Sequence, residues 1–214
     1  MFVTSDGSGG LAINGKLVAS LPREGQTWIT GLAKADEDLL AHVKKALQTW
    51  LSAEGLDKEA LAKRITRVLM SISEDPNAGC MLVILSTQDN PFDDMGVPWE
   101  TRHGEDVVSM PDDVLTSLMA MDGASCLFYS SQKKVVRIQF RRLVSPPLSK
   151  PKEVGLHEDT RRELDGAGTR KWSAASAAKR KEVALIISVS QDGPIHIYEK
   201  VRKDGREQVR TSKL

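Results

Sequence analysis

The chain has 214 residues, of which 40% are hydrophobic and 28% charged, and its 30 basic and 29 acidic side chains leave a net charge of +1. This length fits one globular domain with an extension, or two small domains, and it allows a substantial core to be buried. The near-neutral balance argues against a protein that binds nucleic acid or a membrane surface as a whole, so any cationic site must be local.

Cysteine usage and the start of the chain bear on the compartment. Cys80 and Cys126 each lie in an apolar run, so we interpret both as reduced core residues, with a metal pair or a disulfide as the less favoured alternative. Residues 1–6 lack the basic and then apolar pattern of a signal peptide, and no apolar run is long enough to cross a bilayer. We therefore expect a cytoplasmic protein with no membrane partner.

The first third of the chain predicts a hairpin and two helices. Asn14-Gly15 lies between two short apolar runs, which is typical of a two-residue hairpin turn. Residues 39–51 repeat apolar positions at helical spacing, and Asp57 is placed to cap a second helix over residues 58–72. The exposed face of that helix carries four cations, interpreted as solvated surface or, less favoured, as a nucleic-acid contact: Lys58, Lys63, Arg64 and Arg67.

The central segment begins with Cys80–Leu85, a continuous apolar run that predicts a strand covered on both faces. A long loop follows, in which His103 is interpreted as a solvated side chain or a ligand contact. Ser109 and Asp112 resemble a capping pair for a helix that ends near Met119.

Asp122-Gly123-Ala124 stands at the entrance to the next apolar run and has two interpretations. It is a tight turn in which Asp122 caps and Gly123 takes an unusual backbone angle. Alternatively, Asp122 is a metal-binding carboxylate beside a backbone that a ligand can approach closely. Spacing alone favours the turn. Residues 135–142 alternate as a strand and pair back on residues 124–129.

Gly168-Thr169-Arg170-Lys171 is the most distinctive stretch, because a glycine, a hydroxyl and two cations stand together where a helix is predicted to begin. The free N–H groups of a helix start and a guanidinium that can bind two oxygens are suited to phosphate. Taken alone, such a stretch is more often a plain turn with solvated charges, and the phosphate interpretation depends on the motifs that surround it. Residues 157–164 predict a short charged helix before this stretch.

The remaining segments predict two more strands, Ala184–Ser190 and Ile195–Tyr198, and a basic tail that forms a last hairpin around Asp204-Gly205 or frays. Helices and buried strands alternate along the chain, which favours an α/β fold with a mixed central β-sheet flanked by helices. An N-terminal hairpin and helical extension, residues 1–56, would precede a main domain over residues 57–214.

These motifs together resemble the diadenylate cyclase domain, the nucleotide-binding domain of the DNA-integrity scanning protein family. The resemblance covers residues 61–198 in the family's order. It is carried by the apolar strand after Gly79, by Asp122-Gly123-Ala124, by Gly168-Thr169-Arg170 with Ser173-Ala174-Ala175, and by the strand end at Val189-Ser190.

The resemblance implies an enzyme that joins two ATP molecules into cyclic di-AMP and releases pyrophosphate, with Mg²⁺ or Mn²⁺ and with two subunits facing each other. It implies that Asp122 is the catalytic carboxylate and metal ligand. Arg170 and Lys171 would act on the reacting phosphates. The remaining contacts to the nucleotide would come from residues that match the family's motifs: Gly123, Ala124, Gly168, Thr169 and Ser190. An adenine nucleotide and a homodimer or higher homo-oligomer are therefore the expected partners.

The chain departs from the family pattern at two positions. Lys171 stands where the family has histidine, and Trp172 stands where it has a second arginine or is an inserted residue. Lysine offers a point charge to phosphate without arginine's fork, and tryptophan offers no charge. Two functions therefore stay open: a diadenylate cyclase, and a non-catalytic nucleotide-binding sensor on the same fold.

Overall fold

The computed structural model describes residues 2–3, 9–13, 16–21, 31–75, 77–87, 103–104, 106–120, 123–141, 155–164, 169–190 and 194–214. The helices are α1 (Gly31–Leu47), α2 (Lys58–Glu74), α3 (Asp112–Met119), α4 (Glu158–Leu164) and α5 (Thr169–Ala178). The strands are β1 (Phe2–Val3), β2 (Gly9–Ile13), β3 (Lys16–Leu21), β4 (Cys80–Leu85), β5 (His103–Gly104), β6 (Ala124–Ser130), β7 (Val135–Arg141), β8 (Val183–Val189), β9 (Ile195–Lys203) and β10 (Arg206–Lys213).

The described strands form two sheets. β1, β2 and β3 make a small antiparallel sheet, in which β2 and β3 are the predicted hairpin; its turn, Asn14-Gly15, lies outside the described residues. The main sheet has the order β10-β9-β8-β4-β6-β7-β5. Its central pair, β4 and β6, runs parallel, and the other pairs are antiparallel. The prediction of an α/β chain with a mixed sheet is confirmed.

The five strands predicted for the main sheet are all present, and their ends agree with the prediction within about one residue except at β9. That strand continues to Lys203 because the tail folds back as β10, so the last hairpin is formed rather than frayed. Asp204 and Gly205 make its turn with φ of 51° and 74°, a left-handed conformation that favours glycine and aspartate. Arg142, the predicted end of β7, lies outside the described residues.

Helices cover both faces of the main sheet, since side chains of successive strand residues point to opposite faces. Leu82 and Ile84 of β4 belong to a core cluster with α1, α2 and α3. Met81 and Val83 belong to a second cluster, which contains apolar residues of α4 and α5. All six residues of β4 are buried, as the continuous apolar run predicted. Cys80 and Cys126 are both buried thiols, one in each cluster's face.

Helix α1 contributes to the same core as the sheet. Leu39, Val43 and Leu47 are fully buried in the first cluster, together with residues of α2, β4 and β8. The predicted domain boundary after residue 56 falls between α1 and α2, two helices of one layer. Within the described part of the chain, no helix combines the length and the apolar character needed to cross a bilayer.

One of the two predicted helix caps is confirmed. Asp57 caps α2, since its side chain accepts a hydrogen bond from the Ala60 backbone N–H at 2.9 Å. The capping pair of Ser109 and Asp112 is wrong. Pro111 is the first flanking residue of α3 and has no side chain that can accept a bond, while the Ser109 hydroxyl donates to the Asp106 carbonyl oxygen.

The interpretation of the α2 cations as solvated is wrong for Arg64. Its side chain is 15% exposed, and its guanidinium donates to the backbone carbonyl oxygens of Val107, Val108 and Met110 and, through Nε, to the Asp112 carboxylate at 2.6 Å. Arg64 therefore holds the segment that leads into α3. His103 lies in β5, and its side chain is outside the described residues.

Candidate functional site

The residues singled out in the sequence converge on one end of the main sheet. Cys80, the first residue of β4, is paired with Val189, the last residue of β8. Val189 is in turn paired with Ile195, the first residue of β9. Ser190 follows directly after Val189 and is half-buried. The start of β4, the end of β8 and the start of β9 therefore meet at the same edge.

Gly123 and Ala124 lie at this edge as well. β4 and β6 are parallel, with Leu82 paired with Ser125, which sets Ala124 and Gly123 level with the first residues of β4. Gly123 has φ of 133°, a backbone conformation that residues with a side chain rarely adopt. Glycine is therefore favoured at this position, which agrees with both interpretations of Asp122-Gly123.

Helix α5 begins next to the same edge, at Thr169, as the sequence predicts. Its buried alanines, among them Ala174 and Ala175, pack in the second cluster with Met81 and Ala124. Alanine's short side chain lets the helix approach the sheet closely. The first turn of α5 then carries Arg170 and Lys171, both half-buried, over the sheet edge.

Two electrostatic effects locate these cations. Burial raises the pKa of the Cys80 thiol to about 12, and the positive charge of Arg170 acts in the opposite direction on the same group. Arg170 is therefore within electrostatic reach of the start of β4. The charge of Lys171 acts on His196 in β9, which lies one residue in from the sheet edge.

Trp172 takes a structural role. Its half-buried side chain packs against the second core cluster, beside the alanine face of α5. Trp172 is therefore an apolar anchor for the helix.

The side chains or positions of three candidate residues are not described by the structure. Asp122 and Gly168 lie outside the described residues, and Thr169 is described only through its backbone, as the first residue of α5. Of the predicted site, the structure thus brings together Gly123, Ala124, Arg170, Lys171 and Ser190.

A buried histidine beside this edge, His196, was not predicted from the sequence. His196 is 3% exposed, and its Nδ1 lies 3.6 Å from the Glu163 Oε1 of α4, beyond hydrogen-bonding distance. The alternation Ile195-His196-Ile197-Tyr198 indicates a strand with one polar face. Here that face is covered by α4 and α5, a fact that only the strand's neighbours in the sheet could have revealed.

The donor chemistry of the edge suits an anion better than a resident metal ion. Among the residues that the structure describes, no group of three or more histidine, cysteine, aspartate or glutamate side chains could hold a metal. A helix start with two cations, a serine and bare glycine backbone is typical of a phosphate site. Mg²⁺ or Mn²⁺ would fit here as an ion carried by bound phosphates, which is how Mg²⁺ commonly binds, and Asp122, adjacent to Gly123 in sequence, would be its candidate protein ligand.

Comparison of the chain with protein-family models, with curated protein sequences and with solved structures finds no match.

Proposed function

We propose that this chain binds ATP at the sheet edge and joins two ATP molecules into cyclic di-AMP with release of pyrophosphate. One observation carries the proposal: Gly123-Ala124, Ser190 and the first turn of α5 are distant in sequence but meet at one edge of one sheet. The resemblance to the diadenylate cyclase domain rests on these same stretches.

The phosphate-binding part of the proposal rests on α5. The N–H groups at the start of a helix and the positive end of its dipole attract anions, and Arg170 and Lys171 add full charges in the same turn. Arg170 can bind two phosphate oxygens at once, whereas Lys171 supplies a point charge. Ser190 supplies a hydroxyl at the end of β8.

The reaction asks mainly for positioning and charge neutralisation. The 3′-oxygen of one ATP attacks the α-phosphorus of the other, the new oxygen–phosphorus bond forms, and the bond to the departing pyrophosphate breaks. Asp122 is the proposed acceptor of the 3′-hydroxyl proton. Arg170 and Lys171 would stabilise the charge on the phosphates as the bond to pyrophosphate breaks. A divalent cation bound to the ATP would neutralise part of the same charge.

The alternative, a nucleotide sensor without catalysis, has one observation in its favour. Trp172 packs on the apolar core, so the first turn of α5 offers two consecutive cations and no third. Binding of a nucleotide tolerates such a loss more easily than stabilisation of a transition state does, because catalysis depends on charges aimed at the reacting group.

Incubation of the purified protein with ATP and Mn²⁺ separates the two. The cyclase predicts cyclic di-AMP and pyrophosphate in a ratio of one to two, and the product should vanish in the Asp122→Asn variant. Saturable ATP binding without any cyclic dinucleotide, at protein concentrations high enough for subunits to associate, would exclude the cyclase and leave the sensor. Absence of ATP binding would exclude both.

A further inference from the structure

His196 is a buried polar side chain that neither the fold nor the proposed reaction uses. It is the second residue of β9, paired with Ser188 of β8 and Lys213 of β10, and it points to the face that α4 and α5 cover. Its Nδ1 has no hydrogen-bond partner among the described residues. Buried polar atoms are nearly always paired, so an orphaned one of this kind calls for a functional explanation.

Charged groups face His196 from three elements. Glu163 of α4 is 3.6 Å from its Nδ1, Lys171 of α5 and Lys213 of β10 act on it electrostatically, and its partner in β8, Ser188, is uncharged. On its own strand, Tyr198 points to the same face and is also buried. Burial first, and then the two lysines, lower the pKa of His196 to about 4, so the imidazole is neutral at pH 7.

The neutral imidazole makes neither a hydrogen bond nor an ion pair with Glu163. The 3.6 Å separation is too long for a hydrogen bond, and no ion pair exists while His196 is uncharged. Glu163 is one-third exposed, so its carboxylate keeps contact with water. The arrangement is therefore an ion pair that one proton would complete.

We propose that His196 is a proton-linked positioning residue, which takes up a proton from solvent when a phosphate group binds at Lys171 and then pairs with Glu163. The inference rests on the proposed nucleotide site. Phosphate at Lys171 would cancel the positive charge that now disfavours protonation and would add negative charge nearby. The completed pair would tie α4 to β9. Because α4 and α5 pack in the same core cluster, this tie would also steady the first turn of α5.

The linkage between proton binding and ligand binding determines how affinity for the phosphate ligand depends on pH. If ligand binding raises the pKa of His196, binding takes up protons, and affinity must rise as pH falls toward the free-state pKa. Return of this group to near its ordinary pKa of 6.5 would make binding about twentyfold tighter at pH 5 than at pH 7.

Titration calorimetry in buffers of different ionisation enthalpy counts the protons taken up. The probe is an ATP analogue with a methylene bridge between the α- and β-phosphorus, added with Mg²⁺ between pH 5 and 8, so that no pyrophosphate can leave. We expect up to about one proton more per site in the wild type than in His196→Gln near pH 5. Protonation of the analogue itself is common to both proteins and cancels in the difference.

Two further variants keep the test decisive. Glu163→Gln, at a partly exposed position, leaves His196 in place but removes its ion-pair partner, and it should reduce the extra uptake. His157→Gln is the matched control, because His157 lies beside Asp159 at the start of α4 and does not face His196 in any described contact. It should retain the full uptake.

Each outcome separates the inference from the proposed function. Analogue binding with the same proton count and pH dependence in wild type and His196→Gln would overturn the role of His196 and leave the nucleotide site standing. Absence of binding in the wild type would overturn the site and this inference with it.

If His196→Gln fails to fold, NMR titration of the wild-type His196 ring decides. The inference expects a pKa near 4 in the free protein that rises with analogue, and an unchanged pKa contradicts it.

Discussion

Arg170 and Lys171 are adjacent in sequence, yet their charges reach different strands. Arg170 acts on Cys80 in β4, and Lys171 acts on His196 in β9. Two adjacent cations in one helical turn are suited to contact different phosphoryl groups of one triphosphate. No third cation stands in the first turn of α5, so we expect these two residues to carry most of the phosphate attraction at the proposed site.

Replacement of Arg170 by alanine should therefore weaken ATP binding. Loss of a charge-assisted contact of about 1.5–3 kcal/mol would also lower cyclisation by about one to two powers of ten. Isothermal titration and product assays measure the two effects. Lys179→Ala is the matched control, since Lys179 is an exposed cation just beyond the other end of α5. Equal ATP affinity in wild type and Arg170→Ala would refute the phosphate role.

At the scale of elements, α3 precedes Gly123 and the start of β6 in the chain. Arg64 of α2 fixes the start of this segment through three carbonyl oxygens and Asp112. At the other end, the Ser125 hydroxyl of β6 donates to the Leu118 carbonyl oxygen at 3.0 Å. The positions of α3 and of the start of β6 thus depend on contacts that lie outside the site.

We expect Arg64→Ala to lower the free energy of unfolding by about 2–3 kcal/mol, because it leaves carbonyl oxygens of the 107–110 segment without a charged donor. Arg67→Ala provides the control. Arg67 is 70% exposed and makes one 3.2 Å contact to the same Asp112, so its loss should cost about 0.5 kcal/mol or less. Urea unfolding measures both, and similar losses in the two variants would contradict the assigned role of Arg64.

The strands were predictable because their pattern is local. Apolar runs bounded by turn residues located β4, β6, β7, β8 and β9, and Asp57 followed from the residue preference at helix starts. The contacts of Arg64 were not predictable, since it lies 43–48 positions from its partners and looks like any other cation on a helix surface. His196 was missed for the same reason.

The candidate site was predictable to the extent that short motifs mark it. Gly123 and the start of α5 were named from residue type and spacing, but nothing in the sequence pattern brings them to one sheet edge. That follows from the parallel pairing of β4 with β6 and the antiparallel pairing of β4 with β8, which depend on contacts between distant parts of the chain.

At the scale of the whole molecule, Glu199 connects helix α1 to β9 and β10, the last two strands on one side of the main sheet. Its carboxylate is 6% exposed and lies 3.6 Å from His42, 3.2 Å from Lys45 and 2.6 Å from Arg210. The nearby His42, followed by hydrogen bonds from Arg210 and Lys45, holds the pKa of Glu199 well below its usual value of 4.5, against the opposing effect of burial.

This lowered pKa sets the direction of an acid effect. The charged carboxylate favours the folded state, so its contribution is fully present above pH 4.5 and is lost as pH falls below that value. We expect Glu199→Gln to be less stable than wild type by about 1–3 kcal/mol at pH 7 and to lose less stability on acidification. Thermal unfolding from pH 7 to pH 3 measures this, and parallel curves for the two proteins would contradict it.

Assembly provides a prediction that concerns the complete reaction. Cyclic di-AMP contains two 3′–5′ linkages related by two-fold symmetry, so the simplest geometry has two subunits facing each other, each with one ATP. Analytical ultracentrifugation with ATP and Mg²⁺ should then detect a dimer at high protein concentration. A strictly monomeric protein that still forms product would contradict this arrangement.

The proposed nucleotide site is tested most directly by determining which residues respond when ATP binds. Amide chemical shifts of the isotope-labelled protein, followed during an ATP titration, would report on each residue that has a backbone N–H. The account predicts saturable shifts concentrated at Gly123–Ala124, Arg170–Lys171 and Ser190, with little change in α1 and α2. Saturable shifts confined to other elements, or none at all, would contradict a nucleotide site at this edge of the sheet.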